Sequence, residues 1–272
     1  MRARPIGMFD SGLGGLTVLH SLVDLLPGED VIYLGDTARY PYGDRTVEEL
    51  QRFSRAIAAE LLRRDVKVLV VACNSATAAA LDVLREEIPI PVIGVVGPGL
   101  RAAASVTRTG GVVVLGTTMT VRSRIYETTA ADLDLELRLT TLACPGLVEL
   151  VERGLTDAPE TLPVVRERLA PMLTSRTDTL VLGCTHFPLL ARVISEVVGR
   201  GVTLVSSADE TAFEVRDLLL RMGWLQDRES GGQMRLLTTG DPVRFRELGQ
   251  RFLGVALPEV AAVRLAGLEV SL

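Results

Sequence analysis

At 272 residues, 47% of them hydrophobic, the chain carries enough apolar material for one large core or two intimate smaller ones without disulfide staples. A net charge of −5, with basic residues scattered among more numerous acids, argues against a nucleic-acid surface and for small-molecule partners. Three cysteines outside any CxxC pattern and only two histidines disfavour a disulfide framework and a transition-metal site, and point to a reducing cytosol. MRARPIGMFD lacks the apolar core of a signal peptide, and no run reaches about 18 uninterrupted apolar residues, so a soluble cytoplasmic protein without a membrane span is expected.

Short β-branched runs predict strands over residues 5–9, 31–34, 66–71, 91–95, 112–115, 135–139, 179–182 and 202–205. Between them, apolar residues at helical spacing predict helices over 47–64, 76–87, 119–131 and 160–173, with Leu16, Leu19 and Val23 marking an earlier one. Alternating strands and helices imply an α/β fold with parallel sheets and ligands at the carboxyl ends of the strands. No linker separates independent units. A subtle division is expected, with residues 1–97 plus 207–272 forming a first, discontinuous α/β domain and 98–206 a second.

Polar residues just after a strand therefore matter most. Asp10 and Ser11 precede Gly12, Gly14 and Gly15, which would let backbone N–H groups approach an anion, although Asp10 would repel a phosphate; capping of the next helix is the alternative. Asp36 opens a polar, aromatic loop through Arg39, Tyr40, Pro41, Tyr42 and Gly43, suited either to shaping a pocket or to simple turning. Thr117, Thr118 and Thr120 suit a helix cap or a carboxylate. His20 falls inside the first helical pattern, as a surface or core-edge residue.

Two segments repeat one pattern, LVVACNS around Cys73 and LVLGCTH around Cys184: an apolar strand, a small residue, cysteine, then polar residues opening a helix. A thiol at a helix N-terminus is expected to ionise more easily, because unpaired N–H groups and the positive dipole end favour the thiolate. Either cysteine alone would also suit a buried structural role; matched contexts suggest matched jobs. Cys144, before Pro145-Gly146, lacks the context and reads as packing or surface. His186, two residues after Cys184, is placed to tune or relay that thiol's proton.

With these motifs the chain resembles the aspartate/glutamate racemase superfamily, and within it the glutamate racemases. IGMFDSGLGGLTVL, YLGDTARYPYGDR, VVACNSATAAAL, LVERG, VLGCTHFPLL, SSADETA and TTGDPVRF carry the likeness almost from end to end. The resemblance implies two pseudo-symmetric α/β domains, with the substrate buried between them and one cysteine from each. It implies that Cys73 and Cys184 are acid/base thiols, that Asp10 and His186 assist them, and that Asp36 and Glu152 are further polar residues of the site. It also matches Asp10, Ser11, Pro41, Tyr42, Gly43, Asn74, Ser75, Thr185 and His186, with Thr117 added, to positions that hold substrate. Ser75 stands where the family often has Thr, and Ser206 where it often has Asp.

Racemisation removes a weakly acidic α-proton and returns one on the opposite face, which two opposed thiols accomplish without a cofactor. Pyridoxal phosphate is disfavoured by a single lysine, Lys67, at a strand start. The resemblance further implies a homodimer and a role in supplying D-glutamate for peptidoglycan. Aspartate or a hydantoin as substrate, a non-catalytic metabolite-binding protein and a cysteine hydrolase are the rivals; the last leaves the second matched cysteine unexplained.

Overall fold

A computed structural model describes residues 1–170, 173, 176–226, 228 and 230–268. Strands β1 Ile6–Asp10, β2 Val31–Gly35, β3 Val68–Val71 and β4 Val92–Gly94 alternate with helices α1 Leu16–Leu25, α2 Val47–Leu62 and α3 Asn74–Glu87. Helix α4 Val96–Val106 leads to β5 Gly111–Gly116, α5 Thr118–Arg122, α6 Ile125–Asp132, β6 Arg138–Ala143, α7 Leu147–Glu152, α8 Thr161–Leu169 and β7 Thr179–Gly183. A 3₁₀ turn at Phe187–Leu190 precedes α9 Ala191–Val198, β8 Thr203–Ser206, α10 Ser207–Met222, β9 Met234–Thr238, α11 Pro242–Leu253 and β10 Val260–Ala262.

The strands form two sheets, ordered β10-β9-β2-β1-β3-β4 and β6-β5-β7-β8, and every pairing is parallel. Adding four to each number turns β2-β1-β3-β4 into β6-β5-β7-β8, so one connectivity is used twice. Cys73 follows β3 and Cys184 follows β7, at corresponding places in the repeat.

Central strands are buried on both faces, which is why they read as continuous apolar runs. Alternate residues still sort to opposite sides. Ile6, Met8, Val68 and Val70 pack with α1 and α10, whereas Phe9, Leu69 and Val71 pack with α2 and α3. In the second sheet Leu115, Leu180 and Leu182 meet α7, α8 and α9, and Val112, Val114 and Val181 meet α4 and α6. Each such side chain contributes roughly 1.5–3 kcal/mol by leaving water. Helix α2 starts where Thr46 and Glu49 form a capping box, each side chain bonding the other's backbone N–H.

Three helical or strand expectations shift. The helix expected over 119–131 is two, because Arg124 adopts a left-handed conformation (φ 55°) and Ser123 turns its hydroxyl back to the Thr120 carbonyl. The strand expected over 135–139 begins at Arg138, since Asp134 (φ 51°) and the Leu135 N–H bond to the Ala130 carbonyl first close α6. Of the helix expected over 160–173, α8 covers Thr161–Leu169, and 171 and 172 lie outside the described residues. Strands β9 and β10 extend the first sheet at its β2 edge; short and mixed in composition, they carry little periodic signal.

Candidate active site

In both repeats the strand order reverses at the same place, between β1 and β3 and between β5 and β7. Crossovers there leave in opposite directions and open a crevice at the carboxyl edge. Asp10, Ser11 and Cys73 sit at the first crevice, Thr117 and Cys184 at the second, and the two edges face each other. Ser75 and Thr117 hydroxyls meet at 2.9 Å, Asn74 Nδ2 donates to Tyr126 Oη at 3.0 Å, and the Thr185 hydroxyl donates to Asp10 Oδ1 at 3.4 Å. Gly14 enables the approach: a Cβ there would collide with the Thr185 hydroxyl and lie 2.6 Å from His186 Nδ1. Gly14 thus serves close packing between the edges, whereas Gly15 leaves no room for a Cβ against Asp10 and Tyr33 of its own repeat.

Between the edges lies a cleft that both cysteines line. Ser11, Pro41, Tyr42, Gly43, Cys73, Asn74, Ser75, Thr117, Cys184, Thr185 and His186 all line it. Asp10, Asp36 and Glu152 do not line it, and stand behind residues that do. Asp10 is fully buried and accepts from the Gly12 N–H at 2.9 Å, closing the turn that presents Ser11; it does not cap α1. Asp36 is fixed by Arg39 and the Thr239 hydroxyl, each at 2.6 Å, and accepts the Tyr42 hydroxyl at 2.6 Å, so it aims Tyr42. Glu152 Oε1 lies 3.0 Å from His186 Nε2, while His186 Nδ1 lies 3.8 Å from Cys184 Sγ.

These surroundings set proton affinities. Cys73 precedes α3, and its thiol points to Ser11 Oγ at 3.8 Å. Burial, aided by the Asp10 carboxylate, pushes this thiol well above its ordinary range, outweighing the lowering expected from the helix N-terminus. Cys73 is therefore held as a neutral thiol. Burial alone would make His186 less basic, yet its bonds to Cys184 and Glu152 overcome this and push the imidazole up to about 10, so the ring is cationic at neutral pH. Cys184 does not open an α-helix directly as Cys73 does. Pro188 helps to close a 3₁₀ turn, in which the Phe187 N–H bonds the Cys184 carbonyl.

Tyr40, from the aromatic loop, and Thr118, beside the Thr117 cap of α5, line the cleft too, while Glu149 lines it without having carried any motif. Cys144 packs as expected, 1% exposed with its thiol toward the Leu142 carbonyl at 3.7 Å, but it also reaches the cleft wall, and burial pushes its thiol up to about 11. Tyr126 reaches Asn74 from α6; only its apolar helical spacing was visible in sequence. Ser206 caps α10, accepting the Ala208 N–H at 3.3 Å, and His20 is exposed beside Asp24.

Lys67 is buried at the start of β3, the end opposite Cys73, against Glu29 at 2.6 Å. No helix among the described residues is long and apolar enough to cross a membrane.

Comparison with known proteins agrees with this geometry. The family model for Asp/Glu/Hydantoin racemase matches residues 6–215. A glutamate racemase of Parafrankia is 48% identical over 268 residues, covering 98% of this chain and 95% of that one. Crystal structures of glutamate racemases from Bacillus anthracis (TM-score 0.93, 42% identity, covering 97% of this chain and 99% of that one) and from Francisella tularensis in complex with D-glutamate (0.91, 30%, 98% and 100%) share the fold. With the repeated sheets, the paired cysteines and a family match over most of its length, the chain belongs to the Asp/Glu/Hydantoin racemase family of isomerases.

Proposed function

We propose that this protein interconverts L-glutamate and D-glutamate without a cofactor, Cys73 and Cys184 acting as the two acid/base groups. The observation that carries this reading is that both sulfurs, from corresponding positions of a repeated unit, line one cleft. The substrate choice is supported by near-full-length relatives named glutamate racemase. One sulfur, as thiolate, takes the α-proton while the other, as thiol, returns one to the opposite face. Family analogy assigns Cys184 to the L enantiomer and Cys73 to the D enantiomer. In the L-to-D direction a neutral Cys73 is the donor required, and cationic His186 balances charge on the Cys184 sulfur. The carbanion draws stabilisation from hydroxyl, amide and backbone donors of Ser11, Asn74, Ser75, Thr117 and Thr185.

In this reading Asp10, Asp36 and Glu152 position Ser11, Tyr42 and His186 respectively. The reading includes two domains, divided near residues 97 and 206. A cytoplasmic homodimer supplying D-glutamate for peptidoglycan completes the proposal, on family grounds.

Circular dichroism of L-glutamate incubated with the purified protein tests it, beside L-aspartate and the variants Cys73→Ser and Cys184→Ser. Loss of optical activity with glutamate is expected, and each variant should lower turnover by about 10²–10⁴-fold with the fold intact. Near-normal racemisation by either variant would sink the two-thiol scheme. Turnover of aspartate instead would replace the substrate.

A further inference from the structure

Residues 263–268 follow the last strand, and the proposed mechanism leaves them unused. Their Leu265 and Leu268 are buried in the apolar cluster that also holds Tyr42 and Phe53. This seating brings the Leu268 carbonyl to Arg39, a guanidinium on a residue only 8% exposed. Arg39 Nη2 donates to that carbonyl at 2.7 Å, and Nη1 donates to Asp36 Oδ1 at 2.6 Å. Asp36 in turn accepts the Tyr42 hydroxyl on Oδ2 at 2.6 Å. Phe53 closes the group, its ring centre 5.5 Å from the guanidinium carbon and 5.8 Å from the centre of the Tyr42 ring. Pro41, Tyr42 and Gly43 line the cleft, so buried contacts run without a break from the carboxyl-terminal stretch to the cleft wall.

We propose that Arg39 is a positioning residue through which the carboxyl-terminal stretch sets the 41–43 wall of the cleft. The donor and acceptor of each bond are fixed by chemistry, since a guanidinium only donates and a carbonyl only accepts. A guanidinium is also a rigid planar fork, so bonds to both Asp36 and Leu268 fix its plane, whereas one bond alone leaves it free to turn. Thr239 also donates to Asp36 Oδ1 at 2.6 Å, so the carboxylate keeps an anchor of its own; what Arg39 adds is the tie to the chain's end. Once that tie is cut, the wall occupies looser arrangements for part of the time. Apparent affinity then falls with the fraction of molecules whose wall is in place, while those that do bind react as before.

Two variants cut the tie from opposite sides. Arg39→Met removes the fork, and the double variant Leu265→Ala, Leu268→Ala removes the apolar anchors that seat the stretch. Each should raise KM for L-glutamate about 10-fold, the value of one hydrogen bond to a charged group, with kcat within about 3-fold of the parent. Combining them should raise KM no further, because both break one connection. The KM measurement rests on the glutamate reading. Alkylation of the cleft thiols by iodoacetamide does not, and each variant should speed it at least about 3-fold by loosening the wall. Lys67→Met, which disrupts a buried ion pair remote from the cleft, should leave both readings at the parental level. Unchanged alkylation in Arg39→Met, a fall in kcat without a rise in KM, fully additive effects in the combined variant, or equal shifts in Lys67→Met each overturn the proposal. Should Arg39→Met fail to fold, the double leucine variant decides: faster alkylation supports the tie, and a parental rate refutes it. A parent that alkylates as expected but does not racemise glutamate would count against the functional reading alone.

Discussion

His186 shows how neighbours reverse the effect of burial. An imidazole enclosed by protein should lose its proton, but a carboxylate at 3.0 Å on Nε2 and a sulfur at 3.8 Å on Nδ1 keep it charged. The chain has only two histidines, so proton NMR resolves the titration of each. His186 should titrate near 10, and Glu152→Gln should move that titration downward. The folded state binds this proton more tightly than the unfolded chain. Its contribution to stability is therefore full below about pH 6.5, and it is lost as pH rises through about 10. If Glu152→Gln leaves the His186 titration unmoved, the carboxylate does not control the imidazole.

Among the elements, the entry to β7 depends on one carboxylate. Asp178 accepts from the Thr107 hydroxyl at 2.6 Å and from the Arg108 and Thr109 N–H groups at 2.7 and 2.8 Å. It ties the turn after α4 to the strand that presents Cys184. Burial opposes its ionisation, but these donors together hold the carboxyl well below the usual carboxylate range. A depressed folded-state pKa gives stability that is present above about pH 4, the unfolded value, and is lost as pH falls through the folded one. Asp178→Asn should therefore lower the urea midpoint at pH 7, and the gap from the parent should narrow progressively below pH 4. A gap independent of pH would mean that shape, and not charge, fastens the turn.

Across the whole molecule, the only lysine serves as a hub. Lys67 Nζ donates to Glu29 at 2.6 Å and to the carbonyls of Arg2 at 3.0 Å and Trp224 at 2.9 Å, while Glu29 also accepts the Gln226 N–H at 2.7 Å. Four distant stretches of chain meet at the amino edge of the first sheet, remote from the cleft. Lys67→Met strands a buried carboxylate and should cost about 3–5 kcal/mol in denaturant unfolding. Thiol accessibility at the cleft should stay at its parental level below the transition. At the same scale, α10 returns the chain to pack on α1 and α4, and β9 and β10 then complete the first sheet. Both cysteines thus line a cleft that no single continuous half of the chain encloses.

By itself, the sequence determined the βα alternation, because parallel strands buried on both faces must be apolar throughout and their helices must be amphipathic. It also determined the two cysteines as a pair, since the pattern around them repeats and each follows a strand. What only the tertiary structure decided is everything set by distance across the chain. Asp10, Asp36 and Glu152 prove to stand behind the cleft, and the split of α5 from α6 depends on a left-handed residue that periodicity does not register. Cys73 is held as a thiol because burial and a neighbouring carboxylate outweigh a helix end that is legible locally. Tyr126 had no motif to announce it, for its partner lies 52 residues away on the opposite repeat. Local patterns encode elements and their order; desolvation and contacts between repeats exist only once the two edges have closed on each other.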